Sequence, residues 1–355
     1  MRIILAEHFG MCFGVRDAII QAEQLASEGP LTILGELVHN PVVRERLRAQ
    51  GIGEASLGAT KSTSARVMIT AHGASDVKRA EWSAAGFNVA DGTCPLVRHA
   101  HEQLKQLVAA GFFPVVIGKP GHVEVEGLIG DFPGAIVLSS SEDVSHLPIR
   151  TRYGIISQTT QPINFVREIV DLVRGRHPQS EVRFVDTVCK PTKDRQSALR
   201  KLIAAAEAIV VVGGRESNNT RQLAETCRAA GKTVFHVERP DEVRADWFAK
   251  IDIVGLTAGT STIPETIHAV HERLCEISSA QLKQPTKSKS DDELTAMAAL
   301  LSEQQAQSAG TEVEPAFSTR CKDATPACSF AVPFSTWRKW RGSIPFCPSQ
   351  SADPR

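Results

Sequence analysis

"VADGTCPLVRHAH", residues 89–101, holds the decision about the fold. An apolar run that reads as a β-strand ends in Asp-Gly-Thr, Cys94 follows, and Pro95 opens a helical pattern. Proline suits the first helical position because the N–H it lacks would have no helical partner there. The outline recurs at 184–196, "FVDTVCKPTKDRQ", around Cys189, and more loosely at 3–19, "IILAEHFGMCFGVRDAI", around Cys12. The junction cysteines stand 82 and 95 residues apart, from 12 to 94 and from 94 to 189. Repeated units of similar size predict three similar α/β domains. Three such domains around a pseudo-threefold axis would bring the three cysteines to one point. The expected units are 1–94, including the N-terminal Cys12 segment, then 95–189 and 190–280.

Within these units, "VMIT" (67–70), "PVVIG" (114–118), "YGIIS" (153–157), "AIVVVG" (208–213) and "DIVGL" (252–256) read as buried strands. Each runs into a polar loop and then an amphipathic helix, the alternation of a parallel α/β sheet. Gly29, Gly51, Gly86, Gly111 and Gly231 each follow an amphipathic run and read as helix stops. Residues 134–160 and 231–259 repeat one pattern: strand, Asp-Val or Glu-Val turn, connector, second strand, polar loop. Residues 281–355 differ. They are expected to form a largely disordered tail, with a short helix capped by Ser290 and Glu293.

Composition bounds the function. The chain has 355 residues, 42% of them apolar, with 40 basic and 40 acidic side chains. That balance gives no electrostatic footprint for nucleic acid or an anionic membrane. No stretch approaches the roughly 18 apolar residues of a membrane span. The N-terminal apolar run is too short for a signal peptide, so a cytoplasmic protein is expected. Eight cysteines are present without any C-x-x-C pair. Cysteines that bind something must therefore converge from distant positions. Cys227 and Cys275 fall on helical patterns and read as inert buried thiols.

In open α/β sheets ligands bind beyond the carboxyl ends of the strands. Those loops here are "LVHNPVV" (37–43), "AHGAS" (71–75), "GKPGHVEVEG" (118–127), "SQTTQP" (157–162), "GGRESNNT" (213–220) and "TAGTST" (257–262). They are rich in Gly, Ser, Thr and Asn, carry His39, His72 and His122, and hold one lysine, Lys119. Several lead into helix N-termini, where free N–H groups favour anions. A phosphate would be held there mainly by neutral donors and imidazoles. His39-Asn40-Pro41 also reads as a plain helix start with Asn40 as its cap. Three converging thiolates could hold zinc with an open position. A [4Fe–4S] cluster with three Cys ligands and one open iron fits better, because close cysteine pairs are lacking.

"GMCFGVRDAI", "VHNPVVRERL", "AHG", "DGTCPLV", "GHVEVEG", "SQTT", "DTVCKPTKDRQ", "GGRESNNT" and "TAGTST" stand in one order over about residues 1–280. In this the chain resembles the LytB-type iron–sulfur reductases of 4-hydroxy-3-methylbut-2-enyl diphosphate. The resemblance implies reductive removal of a hydroxyl from an allylic diphosphate, in the last step of the non-mevalonate isoprenoid pathway. It implies Cys12, Cys94 and Cys189 as cluster ligands. It implies His39, His72, His122, Ser217, Asn219 and Ser261 as diphosphate contacts, Glu124 as proton donor, and Thr159 as the hydroxyl that orients the acid and the substrate. His122 also counts among the catalytic candidates. A ferredoxin or flavodoxin donor is implied, since no nicotinamide or flavin motif appears. Asn218 departs from the family's usual second serine in that loop and is carried as a further substrate contact. A [4Fe–4S] lyase and a non-catalytic cluster-binding diphosphate sensor remain alternatives at this level.

Overall fold

The computed structural model describes residues 1–59 and 61–283. The expected tail, apart from residues 281–283, lies outside the described residues, as do Ser290 and Glu293. The described elements belong to one compact unit, Met1–Pro285.

β1 (Arg2–Leu5) leads to Cys12. From Cys12 the chain runs through α1 (Phe13–Ser27), β2 (Leu31–Leu34), α2 (Pro41–Ala49), β3 (Gly53–Ala55), β4 (Arg66–Ile69), α3 (Asp76–Ala84) and β5 (Asn88–Asp91). From Cys94 it continues through α4 (Pro95–Ala109), β6 (Phe113–Ile117), α5 (Val123–Ile129), β7 (Ile136–Leu138), β8 (Arg152–Ser157), α6 (Ile163–Arg176) and β9 (Glu181–Phe184). From Cys189 follow α7 (Lys190–Ala205), β10 (Ala208–Val212), α8 (Asn218–Ala229), β11 (Thr233–Val237), β12 (Ile253–Ala258) and α9 (Pro264–Lys283).

These strands make three parallel four-stranded sheets, ordered β3-β2-β4-β5, β7-β6-β8-β9 and β1-β12-β10-β11. Reading the last from its other edge gives one scheme for all three: second strand, first, third, fourth. In the last sheet the fourth place is taken by β1, with Ile3 opposite Val254. Every fourth strand leads directly to a junction cysteine. The architecture is three α/β units in a pseudo-threefold trefoil. The leading strand of the 1–94 segment lies in the sheet of the third unit.

Burial explains which strands the sequence announces. The continuous apolar runs are the inner strands β4, β6, β8, β10 and β12, covered on both faces. Edge strand β9 alternates between exposed and half-buried positions. The repeated Asp-Val and Glu-Val turns are short 3-10 segments that bury Val144 and Val243 under their sheets. Helices α2, α3, α4 and α8 end alike. Gly51, Gly86, Gly111 and Gly231 adopt φ of 79°, 86°, 82° and 74°. The next residue then donates its N–H back over the last turn, as Ile52 does to Leu47 O and Phe112 to Leu107 O. Among the described residues no helix is long and apolar enough to cross a membrane.

Candidate active site

Each junction cysteine is the N-cap of its helix, and first-turn backbone N–H groups, of Leu96 and Val97 at Cys94 and of Thr192 at Cys189, act on two of the sulfurs. Each backbone N–H reaches the loop after a third-position strand: Cys12 to Thr260 O, Cys94 to Ala71 O and Cys189 to Thr159 O, at 3.0, 3.0 and 2.9 Å. One hydrogen-bond pattern thus sets all three thiols. Close packing joins the first two, since a Cβ on Gly14 would run into Cys94 Sγ. Burial raises the pKa of Cys94 and pushes that of Cys189 up to about 11. Negative charge at Cys12 and at Glu124 acts on both thiols in the same direction, which puts all four groups in one electrostatic neighbourhood.

Glu124 lies in the first turn of α5 and is 2% exposed. Its Oε1 accepts the Thr159 N–H at 2.6 Å. Burial raises its pKa to about 7, against the opposing hydrogen bonds from the Thr159 N–H and side chain. Oε1 being engaged, the proton of the neutral acid sits on Oε2. Thr159 is the residue whose carbonyl receives Cys189 N–H, so one residue fixes both the acid and a cysteine.

The three loop histidines meet. The rings of His39 and His72 are 4.5 Å apart, and His122 lies 5.4 and 5.5 Å from them. His122 caps α5, its Nδ1 accepting the Glu124 N–H at 3.1 Å. That contact fixes the tautomer with Nε2–H outward. His39 places Nδ1 2.9 Å from a Glu36 carboxylate oxygen. Burial lowers the pKa of His72 well below the ordinary value and that of His122 to about 4, with neighbouring histidines adding to both. His72 and His122 are therefore largely neutral. The ligand atoms of the trio lie within 4.8 Å of one another, a spacing that also suits a metal ion.

The start of α8 closes this pocket. Ser217 is its N-cap, and Ser217, Asn218, Asn219 and Ser261 are all buried. Asn219 Oδ1 accepts the Thr260 N–H, and Asn218 Nδ2 donates to Thr160 Oγ1 at 3.1 Å. Ser261 Oγ lies 3.4 Å from His39 O. Asn40 does cap α2, accepting from Val42 and Val43 N–H, and its Nδ2 also holds Ser261 O at 2.7 Å. A Cβ on Gly214 would strike the His39 carbonyl, so only glycine lets the two loops approach this closely.

The expected site residues thus lie at the cysteine-capped helix starts, at the starts of α5 and α8, or in the loops after β2, β4, β8 and β12. Arg221, in the first turn of α8, was not among them. Its charge acts on His122, as does that of Lys119, and its buried Nε has no hydrogen-bond partner among the described residues. A cation therefore joins the neutral donors. Cys227 is fully buried as expected, whereas Cys275 is exposed on α9, beside the stripe of Ile267, Val270, Leu274 and Ile277 that faces the core. The cluster of Asp76, His101 and Asp131 has a structural explanation: Asp131 accepts the Asp76 and Val77 N–H groups at the start of α3 and pairs with His101.

Comparison with known proteins bears on this arrangement. The family model described as LytB protein matches residues 3–275. The 4-hydroxy-3-methylbut-2-enyl diphosphate reductase of Aquifex aeolicus is 34% identical over 286 residues, covering 79% of this chain and 98% of the relative. That of Geobacter sp. (strain M21) is 36% identical over 281 residues, covering 78% and 98%. A solved structure of (E)-4-hydroxy-3-methyl-but-2-enyl diphosphate reductase, titled the terminal enzyme of the non-mevalonate pathway, matches with a TM-score of 0.57 at 33% identity. It covers 78% of this chain and 100% of that one. The Plasmodium falciparum reductase shares the fold, with a TM-score of 0.71 at 22% identity over 76% of this chain and 87% of that one.

Proposed function

The chain belongs to the LytB family, and on that premise we propose that it strips the hydroxyl from (E)-4-hydroxy-3-methylbut-2-enyl diphosphate. It is an oxidoreductase of the terminal step of the non-mevalonate isoprenoid pathway. Two electrons and two protons enter, water leaves, and isopentenyl and dimethylallyl diphosphate are formed.

Cys12, Cys94 and Cys189 are the ligands of a [4Fe–4S] cluster with one open iron. Two observations support that fit. Each sulfur stands at a helix N-terminus, where the dipole favours thiolate. Zinc sulfurs would stand about 3.8 Å apart, yet the cysteines are not among the trios of ligand atoms within 4.8 Å found in the described residues. When bound, the cluster supplies electrons and a Lewis-acidic iron for the substrate oxygen. A ferredoxin or flavodoxin delivers the electrons.

The chain's own residues then divide the work. Hydroxide is a poor leaving group and needs a proton. Glu124 can hold one, because burial raises its pKa to about 7 and leaves a large share of the carboxyl protonated near neutral pH. Thr159 aims the acid through its N–H and hydroxyl. The diphosphate is held at the other end by His122 Nε2–H, His72, the α8 start with Ser217, Asn218 and Asn219, and Ser261. His39 is oriented by the contact of its Nδ1 with a Glu36 carboxylate oxygen, and its buried Nε2 has no partner among the described residues. These donors and helix starts favour an anion over a metal ion at the histidine trio.

The observation that carries the assignment is the meeting of three cysteine-capped helix starts with a single buried carboxyl whose pKa burial raises. The test is anaerobic. The protein is reconstituted with iron and sulfide, and oxidation of reduced methyl viologen is followed as the hydroxylated allylic diphosphate is added. Substrate-dependent oxidation is expected. Cluster-loaded protein that binds the diphosphate without oxidising the dye would turn the reading toward a lyase or a sensor.

A further inference from the structure

Arg195 lies on α7, six residues after Cys189, and is only 6% exposed. Its hydrogen bonds go to carbonyls alone. Nε and Nη2 donate to Gly10 O, and Nη1 donates to Pro191 O at 2.8 Å. Among the described residues no carboxylate is hydrogen-bonded to it, and the adjacent Asp194 pairs with Lys190. A buried cation with only neutral partners carries a large desolvation penalty. The carbonyls it chose lie two residues before Cys12 and two residues after Cys189. Negative charge on Cys12 and Cys189 acts on it more strongly than that of Asp194, opposing the effect of burial. The missing countercharge is therefore the pair of thiolates that cluster binding would create at Cys12 and Cys189.

We propose that Arg195 is a positioning residue for the cluster: its buried guanidinium is the built-in countercharge of the Cys12 and Cys189 thiolates and ties their two segments together across 185 residues of sequence. This rests on the reading of those cysteines as cluster ligands. Adding an electron makes the cluster more negative, and a fixed cation beside it favours that reduced form. Cluster potentials respond to net charge and to surrounding hydrogen bonds. Arginine suits the place because its guanidinium carries a permanent charge, whereas a lysine there would stay charged only while the thiolates beside it hold its proton. Its fork also reaches both carbonyls. The guanidinium therefore raises the reduction potential toward what the donor can deliver, and holds the Gly10–Cys12 segment at the start of α7.

The test compares the full-length protein with Arg195→Gln and Arg195→Lys, each reconstituted anaerobically. Iron and sulfide content, circular dichroism and an EPR-monitored redox titration are read together. The Gln variant is expected to load its cluster at a lower reduction potential than the parent, and the Lys variant to recover most of the difference. An unchanged potential in the Gln variant would overturn the proposal. If the Gln variant folds but fails to load, loading in the Lys variant supports the countercharge, and failure in both overturns it in favour of a purely geometric clamp. Should Gln unfold the protein, a Lys variant near the parent potential supports the proposal and one far below it overturns it. A parent protein that takes up no cluster would instead remove the ligand reading itself.

Discussion

The cysteine side and the diphosphate side of the site are built on the same threefold frame, yet they use it differently. On the cysteine side the repeat is kept: three fourth strands, three N-capping cysteines, three N–H bonds to a third-strand loop. On the other side, equivalent places have diverged. The helices that follow the first strands are capped by Asn40, His122 and Ser217. The carbonyls that receive the cysteines belong to Ala71, Thr159 and Thr260. Symmetry brings three like cysteines into one neighbourhood. Its loss supplies direction, with one acid on one side and an anion pocket beside it.

The largest effects should come from breaking the symmetric half. Cys94→Ala should lose or degrade the cluster, whereas Cys227→Ala should keep it and cost only on the order of 1 kcal/mol of stability. Iron and sulfide assays beside denaturant unfolding decide this, and equal iron in the two variants would overturn the ligand assignment. Gly14→Ala pushes a methyl into Cys94 Sγ and should lower iron retention on gel filtration, though less than the cysteine change does.

Next comes the acid that belongs to one unit alone. Glu124→Gln should keep the cluster and lose roughly 10²–10⁴-fold in turnover, the range of general acid catalysis. It should also be more stable than the parent at pH 8. Holding a carboxyl at about 7 instead of its ordinary 4.5 costs roughly 3 kcal/mol at high pH. The sign follows from proton binding. Between pH 4.5 and 7 the native state keeps a proton that the unfolded chain releases, so this penalty grows with pH and vanishes below 4.5. His122, lowered to about 4, runs the other way: stability falls as pH drops from 6.5 through 4. The two slopes offset in the parent. In Glu124→Gln stability should climb with pH across 4–6.5, and a flat profile from urea midpoints there would contradict the histidine account.

Smaller effects probe the divergent half. An entering diphosphate favours charged imidazoles at His72 and His122, so binding should take up protons near pH 7. Calorimetry in two buffers of different ionisation heat measures this, and zero uptake would leave only neutral donors. Asn218→Ser removes the bond to Thr160 and should cost about 1 kcal/mol at most, read as a few-fold change in KM with kcat held.

The symmetric half was the more legible one in sequence. Cysteine junctions, continuous β-branched strands and glycine helix stops are local signals, and each reappears in the fold. Long-range choices were not legible. Nothing in the four residues of β1 says that they pair with β12 rather than with their sequence neighbours. Arg195 and Arg221 look like ordinary helix-surface cations until the packing of other segments buries them. Cys275 is one residue from Leu274 but about 100° around the helix, enough to leave the core face. The pocket residues were legible chiefly through family resemblance, since a lone His-Asn-Pro or Ser-Asn-Asn is equally a helix start.

The most direct test of the account is Mössbauer spectroscopy of protein reconstituted with ⁵⁷Fe, before and after adding the hydroxylated allylic diphosphate. Three cysteine ligands and one open iron predict four irons per chain, with one quarter of the signal changing when substrate binds. A spectrum that stays unchanged under saturating substrate, or shows all irons equivalently ligated from the start, would contradict it.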